Sequence, residues 1–174
     1  MGCKDQQDGQ ERGYWNPRQD SAPLDYWAVT LFTDWFAPTN PYYDEKRGSN
    51  MRPFITIEKR AQEALDFYSS IFPSFSLISL NHHEEPHHEL VMLGVFSIKG
   101  QEIMISDSFV SHDWDITPGI SFFIDLDNED DLDSLSGSLG EQGKIHMPAD
   151  NYGFSKRFAW VEDKFGVNWQ LNVE

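Results

Sequence analysis

Between Met51 and Glu174 the chain runs twice through one order of elements, and this doubling limits the fold more than any single motif. Residues 52–57 are a short β-rich run. Ala61, Ala64, Leu65, Tyr68, Ile71 and Phe72 then recur at helical spacing until Pro73, whose ring cannot continue a helix. Residues 75–80, 90–98 and 101–106 read as strands. The last two are joined by Lys99-Gly100, where Gly supplies the positive φ of a tight hairpin. The second half repeats the order. A strand over 120–126 precedes a helix with Asn128 as N-cap, acids Glu129, Asp130 and Asp131 in its first turn, and a stripe of Leu132, Leu135 and Leu139. Gly140 and Gly143 are expected to end that helix, and 144–147, 157–161 and 167–173 complete the set of strands.

The pattern is α+β: tandem βαβββ units, each a four-stranded sheet with a helix over one face. The uncovered faces need a partner, so the two halves are expected to form a curved mixed sheet around a shared cavity where function would sit.

The N-terminal third is different. Residues 1–23 are polar, with almost no aliphatic side chain, and read as a mobile tail. Residues 24–36, from Leu24 through Trp27, Leu31 and Trp35 to Phe36, are aromatic and apolar; they fit strand alternation and a helical stripe equally. Pro38, Pro41 and the 46–50 stretch read as a linker, so 24–50 forms an extension ahead of the 51–174 domain.

With 13 Lys and Arg against 29 Asp and Glu, the formal charge of −16 repels phosphate backbones and anionic lipid, which argues against nucleic acid and membrane partners. A single cysteine, Cys3, and no apolar leader or long apolar stretch lead to the expectation of a soluble, cytoplasmic protein.

Ala61-Gln62-Glu63-Ala64-Leu65-Asp66-Phe67-Tyr68 followed by Phe72-Pro73, the strand Gly119-Ile120-Ser121-Phe122-Phe123, and the closing run from Arg157-Phe158-Ala159-Trp160 to Trp169-Gln170-Leu171 resemble the PhnB-like branch of the vicinal oxygen chelate superfamily. That superfamily includes glyoxalase I and bleomycin-resistance proteins, and the likeness covers residues 51–174. Members of the branch often carry the label 3-demethylubiquinone 3-methyltransferase. This chain has no Gly-rich strand-to-helix turn followed by an acid, the arrangement nucleotide-type cofactors use in Rossmann-like folds.

The resemblance implies a homodimer and a divalent metal held by His, Glu or Gln from the first and last strands of each half. Those places fall at or near Pro53, Met104, Ser121 and Gln170, and only Gln170 has a strong donor. No cofactor is therefore expected. Strand alternation puts Asn168, Gln170 and Asn172 on one face with Ser121 and Phe123, so Pro53, Met104, Ser121, Phe123, Trp160, Asn168 and Gln170 line the expected site for a small organic molecule. The alternatives are a metal-dependent lyase, isomerase or dioxygenase with a displaced site of Gln170, Asp107, His88 and Glu89, and an interaction protein using residues 24–36.

Other clusters read as structural. His82-His83-Glu84-Glu85-Pro86-His87-His88-Glu89 is expected to be a solvated turn. Asp163-Lys164-Phe165-Gly166 suits a type I turn, with Trp160 and Trp169 packing across the strands beside it. Asp107, His112, Asp113 and Asp115 bring potential acid–base partners to the loop between halves, and Lys156 and Arg157 place positive charge near a loop that could cover a pocket.

Overall fold

The structure is a computed structural model that describes residues 51–113 and 116–174. The tail 1–23, the extension 24–50 and Asp115 lie outside the described residues. The first unit comprises β1 (Phe54–Glu58), α1 (Ala61–Ile71), β2 (Ser76–His82), β3 (Val91–Ile98) and β4 (Gln101–Ser108). The second comprises β5 (Phe122–Asp125), α2 (Glu129–Gly140), β6 (Lys144–Asp150), β7 (Arg157–Glu162) and β8 (Asn168–Val173). The expected βαβββ repeat is present twice. As expected, each unit carries its own mixed four-stranded sheet, ordered β1-β4-β3-β2 and β5-β8-β7-β6, with β1 and β5 each pairing only within their own unit.

Local chemistry accounts for the boundaries. Lys99 and Gly100 both have positive φ, the geometry that matches hairpin twist to strand twist. Asn128 caps α2 by accepting from Asp131 N at 2.8 Å. That helix ends differently from expectation: Gln142, not a glycine, takes the left-handed turn at φ 60°. Gly143 serves another purpose, since a Cβ there would lie 2.1 Å from the Glu162 carbonyl. The close approach of α2's exit to β7 therefore requires glycine.

Helix α1 has no cap of its own, since Arg60 makes no side-chain capping bond. Asp107 on β4 supplies it: Oδ1 accepts from Ala61 N and Oδ2 from Val91 N, both at 2.8 Å and buried. Both carboxylate oxygens thereby take up backbone N–H groups that would otherwise be stranded.

One core runs through both units, from Ile57, Leu65, Tyr68 and Phe96 to Leu132, Leu139, Val161, Trp169 and Leu171. Its centre is an aromatic group in which Tyr68 lies 5.4 Å from Trp169 and 5.9 Å from Phe96, with Phe72 5.0 Å and Phe122 4.9 Å from Trp169. Asp163 sits inside it. It caps the β7–β8 turn through Phe165 N and Val167 N at 2.8 and 3.0 Å, and it accepts from Tyr68 Oη at 2.8 Å and Trp169 Nε1 at 2.9 Å. Burial pushes its carboxyl above the usual carboxylate range, while the four donors pull it back. The same contact raises the Tyr68 phenol well above its ordinary value, chiefly by burial.

The turn expected at 163–166 is present, with Gly166 N donating to Asp163 O and Gly166 at φ 85°. The expected packing of Trp160 against Trp169 is not. Trp160 pairs with Gln170 and Trp169 with Val161, so the two indoles stand on opposite faces of the sheet. Among the described residues no helix is long and apolar enough to cross a membrane.

Candidate functional site

The strand pairs that open and close each unit run parallel, and partners in register share a face. In the second sheet Phe123 pairs with Gln170, and Trp160 pairs with Gln170 from the other side. Alternation adds Ser121, Asp125, Phe158, Glu162, Asn168 and Asn172 to that face, opposite the one α2 covers. The structure thus brings together Ser121, Phe123, Trp160, Asn168 and Gln170. Met104 lies on the equivalent face of the first sheet, in register with Phe54. Pro53 is displaced from its expected place: it precedes β1, giving its carbonyl to Met104 N at 2.9 Å, and Phe54 takes the position beside Met104.

The second face is not a wet sheet surface. Gln170 Nε2 donates to Ser121 Oγ at 2.8 Å, and Asn172 Nδ2 to Asp125 Oδ1 at 2.8 Å. Trp160 Nε1 donates to Asn168 Oδ1 at 3.1 Å, and Asn168 Nδ2 to Gly166 O at 3.1 Å. Asn168 is 1% exposed. These amides are fixed by partners within the sheet. Beside them the face is aromatic: Phe123 is 56% exposed and lies 6.5 Å from Phe158. Tyr152 and Phe154, from the loop before β7, stack on each other at 6.2 Å and rest on Phe158.

Sequence reading missed His146 and Glu162 on this face. His146 Nε2 lies 3.1 Å from Glu162 Oε2, and its ring lies 4.8 Å from that of Trp160. His146 falls inside the strand expected over 144–147, but its partner Glu162 stands 16 positions away on β7, and nothing local brings the two together; β6 itself runs past Pro148 to Asp150. It is an edge strand, where a missing N–H is tolerated.

The donor set at the superfamily's chelating places does not fit a divalent cation. Phe54, Met104 and Phe123 offer no hard donor, Ser121 is a weak neutral one, and the Gln170 amide is bonded to Ser121. The displaced set is not assembled either. Asp107 faces the core side with both oxygens on backbone amides. His88 pairs with Glu85 at 3.0 Å on an exposed turn, and Glu89 lies 4.0 Å from His87. Of the other imidazoles of that loop, His82 turns to Gln62, while His83 and His87 both lie against the Phe109 ring. Burial and neighbouring His87 lower the His83 pKa. Among the described residues, no group of three or more His, Cys, Asp or Glu is placed to share an ion.

Two of the remaining candidates have local partners. His112 contacts Ser108 Oγ at 2.7 Å and its backbone N donates to Glu58, holding that carboxylate below its usual range. Arg157 makes a two-bond pair with Asp133 of α2 at 2.6 and 2.8 Å, on the helix side. A cavity of about 240 Å³ lies where α1, the β3–β4 hairpin and α2 meet, lined by Phe72, Ile98, Lys99, Ile124, Asp131 and Leu135 among others. None of the seven expected site residues borders it.

Residues 49–172 match the family described as 3-demethylubiquinone-9 3-methyltransferase. A Bacillus cereus PhnB protein bearing that label is 34% identical, with a TM-score of 0.69 over 72% of this chain and all of that one. A Pseudomonas aeruginosa protein is 21% identical with a TM-score of 0.64, over 72% of this chain and 97% of that one. The fosfomycin resistance protein of Listeria monocytogenes, solved with Mn(II) and a dihydroxypropylphosphonic acid, shares the fold at 13% identity. Its TM-score is 0.53 over 71% of this chain and 91% of that one. Curated protein sequences give no match.

Proposed function

The chain belongs to the 3-demethylubiquinone-9 3-methyltransferase family of PhnB-like proteins with a glyoxalase-like fold, and from that premise we propose that it binds a small, planar organic molecule on the open face of its second sheet. On this reading no chelated metal is needed. The observation that carries it is the pairing of an exposed ring, Phe123, with the fixed amide of Gln170, one of the places where the resemblance puts a metal donor. Apolar area with a few oriented polar groups is how organic ligands are held. Homodimerisation belongs to the same proposal and is checked by light scattering.

Thermal melting of the full chain with a panel of neutral bicyclic aromatic compounds tests it. A binder raises the melting temperature in proportion to RT ln(1 + [L]/Kd), and Phe123→Ser or Trp160→Ala removes the increase. No shift with any compound, or a shift that appears only when Mn, Ni or Zn is added, contradicts the proposal.

A further inference from the structure

The His–carboxylate pair beside Trp160 narrows the class of ligand. Resting on the reading above, we propose that His146 is a hydrogen-bond acceptor that selects aromatic ligands carrying a hydroxyl group, with Glu162 as the positioning residue that fixes its tautomer.

His146 sits on β6 at a break in register between Ile145 and Met147, the kind of irregularity that re-aims a side chain. Its side chain is 15% exposed and that of Glu162 28%. A carboxylate can only accept, so the proton shared with Glu162 Oε2 at 3.1 Å belongs to Nε2. In the neutral imidazole this leaves Nδ1 as a bare acceptor, and among the described residues nothing donates to it. The ring also packs beside Trp160, 4.8 Å from it and tilted 37° to it.

The rest of the face leaves the same kind of vacancy. The indole N–H of Trp160 and one N–H of each of the Asn168 and Gln170 amides already point at acceptors within the fold. Trp160 lies between Gln170 on β8 and the His146 ring, so a flat ligand over the indole reaches both. Asp125 and Glu162 border the site, and the chain carries −16 overall, which disfavours carboxylates and phenolates. A neutral phenolic hydroxyl supplies the donor that Nδ1 lacks, while its ring covers apolar surface.

The test compares 2-naphthol with 2-methoxynaphthalene, in which a methyl group replaces the hydroxyl proton, by fluorescence titration of the full chain. The proposal predicts roughly three- to tenfold tighter binding of the naphthol, the ratio one hydrogen bond supplies. His146→Phe keeps a ring on Trp160 and levels the two affinities. Nitrogen NMR of the wild type above neutral pH should show His146 with its proton on Nε2, and Glu162→Gln, whose amide can donate as well as accept, should mix the tautomers and reduce selectivity. Equal affinity in the wild type, or a proton on Nδ1, overturns this proposal and leaves the binding face intact. Failure of both compounds to bind overturns the reading of the face as an aromatic-ligand site, and this proposal with it.

Discussion

Strand β8 has two faces built from alternate residues, and they are spent on different tasks. Trp169, Leu171 and Val173 are 0%, 0% and 7% exposed and join the two units into one core. Asn168, Gln170 and Asn172 look the other way, each amide bonded to a neighbour, beside a phenylalanine ring left half in solvent. Close packing on one side makes substitutions costly there, while at the less buried Phe123 and Gln170 the other side can change its chemistry at little cost to stability. The difference explains how one scaffold can keep its shape while the residues at its chelating places change.

The sharpest way to break this comparison is at Asp163. Asp163→Ala leaves the Tyr68 hydroxyl and Trp169 indole N–H buried without an acceptor, and unbonds the turn amides of Phe165 and Val167. Buried polar groups left this way cost about 1–3 kcal/mol each, so urea unfolding should report a loss of about 3–5 kcal/mol. A loss below about 1 kcal/mol would mean the two units are held by apolar contact alone.

Asp107→Ala should come next, at about 2–3 kcal/mol, because it strands the amides of Ala61 and Val91. If Asp107 were instead a ligand-binding group, its loss would weaken binding and spare stability. On the open face the order of effects reverses. Gln170→Ala and Phe123→Ser should each change unfolding free energy by less than about 1 kcal/mol while abolishing the thermal shift from aromatic compounds.

The smallest effect concerns pH. Arg60 first and Lys164 second hold the Glu63 carboxylate down to about 2, across the junction of α1 and the β7–β8 turn. A depressed pKa contributes stability that is present above the ordinary value of 4.5 and is lost as pH falls towards 2. Both partners are close to half exposed on the Glu63–Arg60 side, so solvent screens the pair, and exposed pairs of this kind contribute about 0.2–1 kcal/mol. Glu63→Gln should therefore flatten acid unfolding slightly between pH 4.5 and 2; an unchanged profile would show the pair to be inert.

What could be read from the sequence follows the range of the physics. Helix stripes, the Asn128 cap and the Lys99-Gly100 hairpin are set by residues a few positions apart, and they stand where periodicity places them. Alternation also put Ser121, Phe123, Asn168 and Gln170 on one face. The two four-stranded units were legible for the same reason, since the order of strand and helix signals repeats. Asp163 looked like a turn residue because its partner Tyr68 is 95 positions away. Trp160 and Trp169 looked like a pair because both flank that turn; their odd separation across a hairpin in which Trp160 faces Gln170 puts them on opposite sides. His146 stood in an expected strand but was not singled out, because its partner Glu162 is 16 positions away on the neighbouring strand.

The proposed organic ligand would occupy strand positions where the resemblance puts a chelated metal, without that metal. Calorimetric titration of untagged protein with Mn, Ni and Zn, in the wild type and in Gln170→Ala, addresses this claim most directly. The account predicts no tight stoichiometric binding that depends on Gln170. One equivalent of metal bound tightly by the wild type and lost in the variant would contradict it.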